Sequence, residues 1–100
     1  MMAKPFWEAD PDAPYATLLR HVETYCHPET GSEAYETLKR RTRRADLDDM
    51  RVFKEELRRA VRDPAVLPEG ALFKAGAFED GTDQAFLDRL WRDLYGDEPV

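Results

Sequence analysis

Cys26 and His27, with His21 and Glu23 just before them, are the one place in the chain where a thiol, two imidazoles and a carboxylate fall close together. Such groups can form a nucleophile with its base, or donate sulfur, nitrogen and oxygen to zinc. The spacing suits neither chemistry. Zinc takes four ligands, usually from paired spacings such as CxxC or HxxxH, whereas His21 and Cys26 lie five apart and no second pair follows. His27 cannot easily turn back on its own neighbour, which leaves His21 as the imidazole able to approach the thiol. Cys26 also extends the apolar stripe of Leu18, Leu19 and Val22, the position of a small buried hydrophobe. The chain has no GxSxG elbow, Walker loop, GxGxxG fingerprint or HExxH, and its five glycines are too scattered to cradle a phosphate. The residues therefore assign no catalytic group, no metal and no cofactor.

Two other clusters are candidates for binding. The run Lys39, Arg40, Arg41, Arg43 and Arg44 places five cations within six residues. At a helix end it could neutralise several phosphates, and with the helix that follows it resembles in outline a helix-turn-helix. Against this, a dedicated nucleic-acid binder of this size is normally basic overall, and here the pI is about 4.9 with no aromatic residue interleaved in the run. A solvated helix end, or an intramolecular partner for the acidic last helix, accounts equally for the charges. Trp91 and Tyr95, beside Asp88, Arg92 and Asp93, are of the types that anchor interfaces, while their spacing also suits a core face.

The elements that would position these groups follow from apolar periodicity and caps. Tyr15, Leu18, Leu19, Val22 and Cys26 predict a helix beginning at Asp12 or Pro14 and stopped by Pro28. Thr30 with Glu33 forms a capping-box pattern for a second helix from Gly31, which has the short apolar face Ala34, Tyr35 and Leu38 and ends in the basic run. Asp46 is the expected N-cap of a third, carrying Leu47, Met50, Phe53, Leu57, Ala60 and Val61 until Asp63-Pro64. Thr82 is the expected N-cap and Gly96 the C-terminal cap of a fourth over 83–95, with the stripe Phe86, Leu87, Leu90, Trp91, Leu94 and Tyr95.

Between the third and fourth helices, 64–80 reads as an irregular packed connector. It has room for a helical turn over 65–70 and a very small hairpin pairing 71–73 with 77–78. Pro5, Pro11 and Pro14 predict an extended arm over 1–12, with Phe6 and Trp7 folding back over the helices or, alternatively, meeting a second copy in a homodimer. Residues 96–100 read as a frayed tail. The expectation is an all-α compact bundle of about four helices in a single domain spanning 1–100.

Composition narrows the class. At 100 residues, 42% hydrophobic and 36% charged, the chain can bury one core but not two. No run is long and apolar enough to span a bilayer, and the acidic start is unlike a signal peptide. With a single cysteine, these features read as cytoplasmic, without membrane contact. Eleven arginines against four lysines, and no Ile or Asn, fit a GC-rich bacterial genome. The net charge of −6 divides into +5 over 39–62 and −11 elsewhere. Such bipolarity means either that the two regions face each other or that they present different surfaces to different partners. The reading is a non-catalytic regulator or inhibitor meeting a protein partner, a basic one by charge, with a toxin-neutralising immunity protein as its concrete version. Nucleic-acid binding through 39–44 is the alternative, and an enzyme the third.

Overall fold

The computed structural model describes residues 4–44 and 46–100. Its described residues form six α-helices and no strand: α1 (Phe6–Ala9), α2 (Ala16–Tyr25), α3 (Gly31–Arg41), α4 (Asp48–Arg62), α5 (Ala71–Gly76) and α6 (Asp83–Tyr95). The all-α bundle expected from the sequence is the fold observed. Helix α2 lies at its centre, packed against α1, α3, α4 and α5, while α6 closes the bundle over α4 and α3.

The periodic stripes become one buried cluster. Leu18, Leu19 and Val22 of α2 meet Leu38, Phe53, Leu57, Leu72, Phe86, Leu87 and Leu90, all withdrawn from solvent. Each such side chain contributes about 1.5–3 kcal/mol by leaving water. Helix α6 runs over the residues the stripe predicts, with Thr82 Oγ1 accepting from Ala85 N at 3.1 Å and Gly96 at positive φ closing its end.

The arm departs from expectation. Pro5 and Pro11 bracket a helical turn instead of holding the chain extended: Glu8 N and Ala9 N donate to the Pro5 carbonyl at 3.0 and 3.1 Å. Proline is compatible with the start of a helix, and the turn brings Trp7 down onto α2, where it is 2% exposed with Phe6 edge-on at 5.4 Å. Residues 1–3 of the expected arm lie outside the described residues.

Two predicted caps are not made, and one helix starts later than expected. Helix α2 begins at Ala16, later than Asp12 or Pro14, because Tyr15 adopts a left-handed conformation at φ 65°. The cap comes from α4: Glu56 Oε2 accepts from Tyr15 N at 2.7 Å and Oε1 from Leu18 N at 3.0 Å. A carboxylate suits the positive end of the helix dipole. Thr30 does not cap α3. Its hydroxyl donates to the His27 carbonyl at 2.7 Å inside a 3₁₀ turn, Pro28–Thr30, that leads into the helix. Asp46 does not cap α4 either, because Arg44 grips its carboxylate in two bonds of 3.0 and 2.9 Å, and the helix starts after Leu47.

The connector is more regular than its composition implies. A 3₁₀ turn covers Pro64–Val66, earlier than the turn expected over 65–70, and the segment foreseen as a hairpin is helix α5. A Cβ on Gly76 would stand 2.9 Å from Val22 Cγ1, so the glycine lets α5 lie directly on α2, burying Leu72 and Ala75. The tail is also held, at Glu98. Its carbonyl accepts from Trp91 Nε1 at 2.6 Å, and its carboxylate takes Lys54 Nζ at 2.7 Å.

Candidate functional site

The cysteine and histidine cluster is dispersed by the geometry of α2. Five residues at about 100° each set His21 and Cys26 some 140° apart around the helix. His21 turns toward α4, and Glu23 faces Glu8 of α1, its carboxyl raised by burial and then by Glu8. Cys26 is partly covered beside the core, and burial pushes its thiol up to about 12, against the influence of Arg89. At neutral pH that sulfur is a protonated thiol and a weak nucleophile. His27 Nδ1 accepts from Glu29 N at 3.1 Å. Among the described residues no group of three or more His, Cys, Asp and Glu is placed to hold a metal ion.

What His21 does join is a cleft of about 180 Å³ where α2, α3 and α4 meet, lined by Arg20, His21, Thr24, Tyr25, Arg41 and Asp49. Nδ1 of His21 lies 2.7 Å from the Thr17 carbonyl, so it carries the proton, and the ring rests on Phe53 at 5.1 Å and Tyr25 at 5.8 Å. Nε2 faces Asp49 Oδ2 at 3.4 Å, and the same oxygen accepts from Arg41 Nη2 at 2.7 Å. Burial lowers the imidazole pKa. The Thr17 carbonyl and Asp49 oppose that effect, while Arg41 and Arg20 add to it. Cys26 is not part of this cleft.

The basic run is largely bonded to its own neighbourhood. Lys39 pairs with Glu36 at 3.4 Å, Arg40 donates to Thr37 Oγ1 at 3.0 Å, Arg41 holds Asp49 and Arg44 holds Asp46. Arg43 forms no ion pair among the described residues. Among the described residues none of the five forms an ion pair or hydrogen bond with α6, the acidic partner considered from sequence. The acids of α6 are met elsewhere: Tyr35 donates to Asp93 at 2.8 Å, and Arg89 approaches the same carboxylate at 3.8 Å. Arg40, Arg43 and Arg44 remain exposed.

Of the two aromatic candidates on α6, Trp91 is 5% exposed and committed to Glu98, and Tyr95 is half-buried under Lys54, 4.9 Å above its ring. The exposed aromatic group is Phe73 of α5, at 56%. It heads a ladder: Phe73 meets Phe78 edge-on at 5.4 Å, and Phe78 stacks on the buried Phe86 at 4.7 Å and 10°. Beside it runs a groove of about 440 Å³ lined by Pro28, Ala77, Phe78, Glu79, Asp80 and Arg89. Arg89 clamps Asp80 in two bonds of 2.7 and 3.0 Å, which hold that carboxyl below its usual range. Glu69, Glu79 and Asp83, all within five residues of the ladder, form no ion pair among the described residues. Within 64–80 the sequence pattern leaves Phe73 and Phe78 in an irregular packed connector, with no mark of which ring faces out. The available signal was the helical step that puts Leu72 and Ala75 on one face and leaves Phe73 off it.

Comparison with protein-family models, with curated proteins and with solved structures yields no match. Among the described residues no helix is long and apolar enough to cross a membrane.

Proposed function

We propose that this protein is a non-catalytic interaction module that docks a basic protein partner on the Phe73–Phe78 face. The observation that supports the reading most directly is Phe73: an aromatic ring 56% exposed yet braced through Phe78 onto the core. An aromatic side chain held in place before binding loses little conformational freedom on contact, which is how interface anchors concentrate binding energy. Glu79 lines the groove beside Phe78, and with Glu69 and Asp83 it outnumbers Lys74 among the charges near the ring in sequence, a balance that favours a cationic partner and quickens encounter with one. Inhibition of a basic target, such as a nuclease, is the concrete version that size and charge favour.

Nucleic-acid binding has narrower support in the exposed Arg40, Arg43 and Arg44. Arg44 is already paired with Asp46, and the chain as a whole carries −6. The two readings separate in one experiment. The protein and its Phe73→Ser and Glu79→Lys variants are used to capture partners from host extract with and without nuclease treatment. A basic protein retained by the wild type and lost from both variants is the expected result. Equal recovery by all three refutes the docking face. Capture that depends on intact nucleic acid, and falls with Arg40→Ala and Arg43→Ala, favours the alternative.

A further inference from the structure

Two small clefts meet at Arg44, where α3 turns into α4. The first, of about 340 Å³, sets Arg40 and Arg41 beside Arg44, with Thr37 and Leu47 completing its lining. The second, of about 210 Å³, sets Arg51 and Lys54 beside it and reaches Tyr95 of α6. Five cations therefore line the pair, and no carboxylate does. Their acidic partners stand outside the lining: Asp49 holds Arg41 at 2.7 Å, Asp46 holds Arg44 at 2.9 Å, Asp48 approaches Arg51 at 3.5 Å and Glu98 takes Lys54 at 2.7 Å. Donors are left over on side chains open to solvent. Among the described residues Arg44, its side chain 62% exposed, gives Nε and Nη2 to Asp46 and keeps Nη1. Arg40, also exposed, gives Nη2 to the neutral Thr37 hydroxyl and keeps Nε and Nη1. Over 39–54 seven cations against three carboxylates leave +4, while the rest of the chain sums to −10.

We propose that the two clefts together bind a short polyphosphate chain, one phosphate group in each, with Arg44 reaching both. Guanidinium forks match phosphate oxygens in pairs of charge-assisted bonds. The extent of the patch limits the length of the ligand. Farther along α3 the next cleft shares Thr37 and Arg40 but is lined by Glu33 and Glu36, and Lys54 leads to Glu98. An extended nucleic-acid backbone would run off the patch onto these carboxylates, whereas phosphates joined by anhydride bonds concentrate their charge within it. The clefts read the phosphate chain and not a base, because the Tyr95 ring is taken up by Lys54 at 4.9 Å and Trp91 at 4.6 Å. The inference is independent of the Phe73 face. It differs from nucleic-acid binding in giving no part to Arg43, which lines neither cleft.

The test is calorimetric titration of the full chain with tripolyphosphate at about 20 mM salt, where surface charges are little screened. Orthophosphate, ATP and a short oligothymidylate are the further probes. Saturable binding of tripolyphosphate is expected, at least about tenfold tighter than that of orthophosphate, because a second phosphate adds charge-assisted bonds in the second cleft. ATP should follow tripolyphosphate, and oligothymidylate should bind more weakly than either. Arg44→Ala should weaken tripolyphosphate binding about tenfold, and Arg40→Ala and Arg51→Ala, each of which alters one cleft, about threefold. Arg43→Ala removes the same charge from the same run and should change the affinity by less than about twofold. The exposed Arg44–Asp46 pair contributes little to stability, so Arg44→Ala should melt with the wild type, and lost binding would not reflect lost folding. Equal affinity for orthophosphate and tripolyphosphate, a loss in Arg43→Ala as large as that in Arg44→Ala, oligothymidylate bound as tightly as tripolyphosphate, or no saturable heat up to about 1 mM would each overturn the proposal.

Discussion

Replacing Glu56 with alanine should weaken the fold far beyond what an ordinary half-exposed helix residue would suggest. The side chain accepts two backbone hydrogen bonds, from Tyr15 N and Leu18 N, 41 and 38 positions away in sequence. Loss of an N-cap typically costs about 0.5–2 kcal/mol. Here a charged acceptor leaves two part-buried N–H groups unpaired at once, and each hydrogen bond to a charged group is worth about 1.5–3 kcal/mol. Water will reach one of the two, so a net loss of about 2–3 kcal/mol is expected. Glu56→Gln keeps one acceptor oxygen but turns an amide donor toward the other N–H, and should lose about 1–2 kcal/mol. Glu55→Ala, on the exposed face with Arg58 and Arg59, should change stability by less than about 0.5 kcal/mol. Urea melts of the three variants against wild type, compared at a common slope, measure these losses. If Glu56→Ala melts within about 0.5 kcal/mol of the wild type, the cross-helix cap is not what fixes the start of α2.

Other outcomes follow from the same structure. Leu90→Ala, at a fully buried site, should cost about 2–5 kcal/mol, whereas Asp88→Ala and Arg92→Ala should each stay within about 0.5 kcal/mol in urea melts. Ala77 ends α5 at φ 44°, a conformation glycine adopts without strain, so Ala77→Gly should raise stability by about 0.4–1 kcal/mol and the melting temperature with it. Deletion of residues 1–11 should lower the thermal midpoint, because Trp7 alone buries area worth about 2–3 kcal/mol; an equal midpoint would mean the turn is not part of the fold. The pKa of His21 is depressed by burial, so its contribution is complete above the ordinary value of 6.5 and declines as pH falls toward the lower folded value. Glu23, with its carboxyl raised, acts in the opposite sense. The decline should therefore be read as the difference in pH slope between wild type and His21→Phe, and identical slopes would refute it.

How far the sequence reveals this fold depends on how local each signal is. The α6 stripe, Thr82 and Gly96 act within one element, and its limits are legible from the pattern alone. The caps of α2, α3 and α4 are not, because competing partners decide them. Asp46 is taken by Arg44, Thr30 by the His27 carbonyl, and the start of α2, expected near Asp12 or Pro14, is fixed at Tyr15 by a glutamate in another helix. Helix α5 is hidden because its glycine reads as a breaker until α2 is known to lie 2.9 Å from where a Cβ would stand. The cleft is not legible along the chain: the helical step puts His21, Thr24 and Tyr25 on one face of α2, and nothing there marks a cavity. Arg41 and Asp49 join it through helix packing, which no spacing along the chain records. Phe73 is illegible for a related reason: without the helix, nothing separates its outward ring from the inward Leu72.

The Glu56 cap also bears on the order in which the chain can become structured during synthesis. A ribosome makes the first turn of α2 about forty residues before the carboxylate that completes it. Until then the nascent segment has a left-handed tyrosine to hold, unpaired amides at its start, and an apolar face whose partners Phe53 and Leu57 are still inside the exit tunnel or not yet made. A ten-residue helix is marginal in water by itself. The central helix of the bundle is thus expected to be among the later elements to become fixed, waiting on α4 rather than templating it. Slow translation before residue 57 would lengthen the time that Leu18, Leu19 and Val22 spend exposed to chaperones and proteases, while slow translation after α4 has emerged would not.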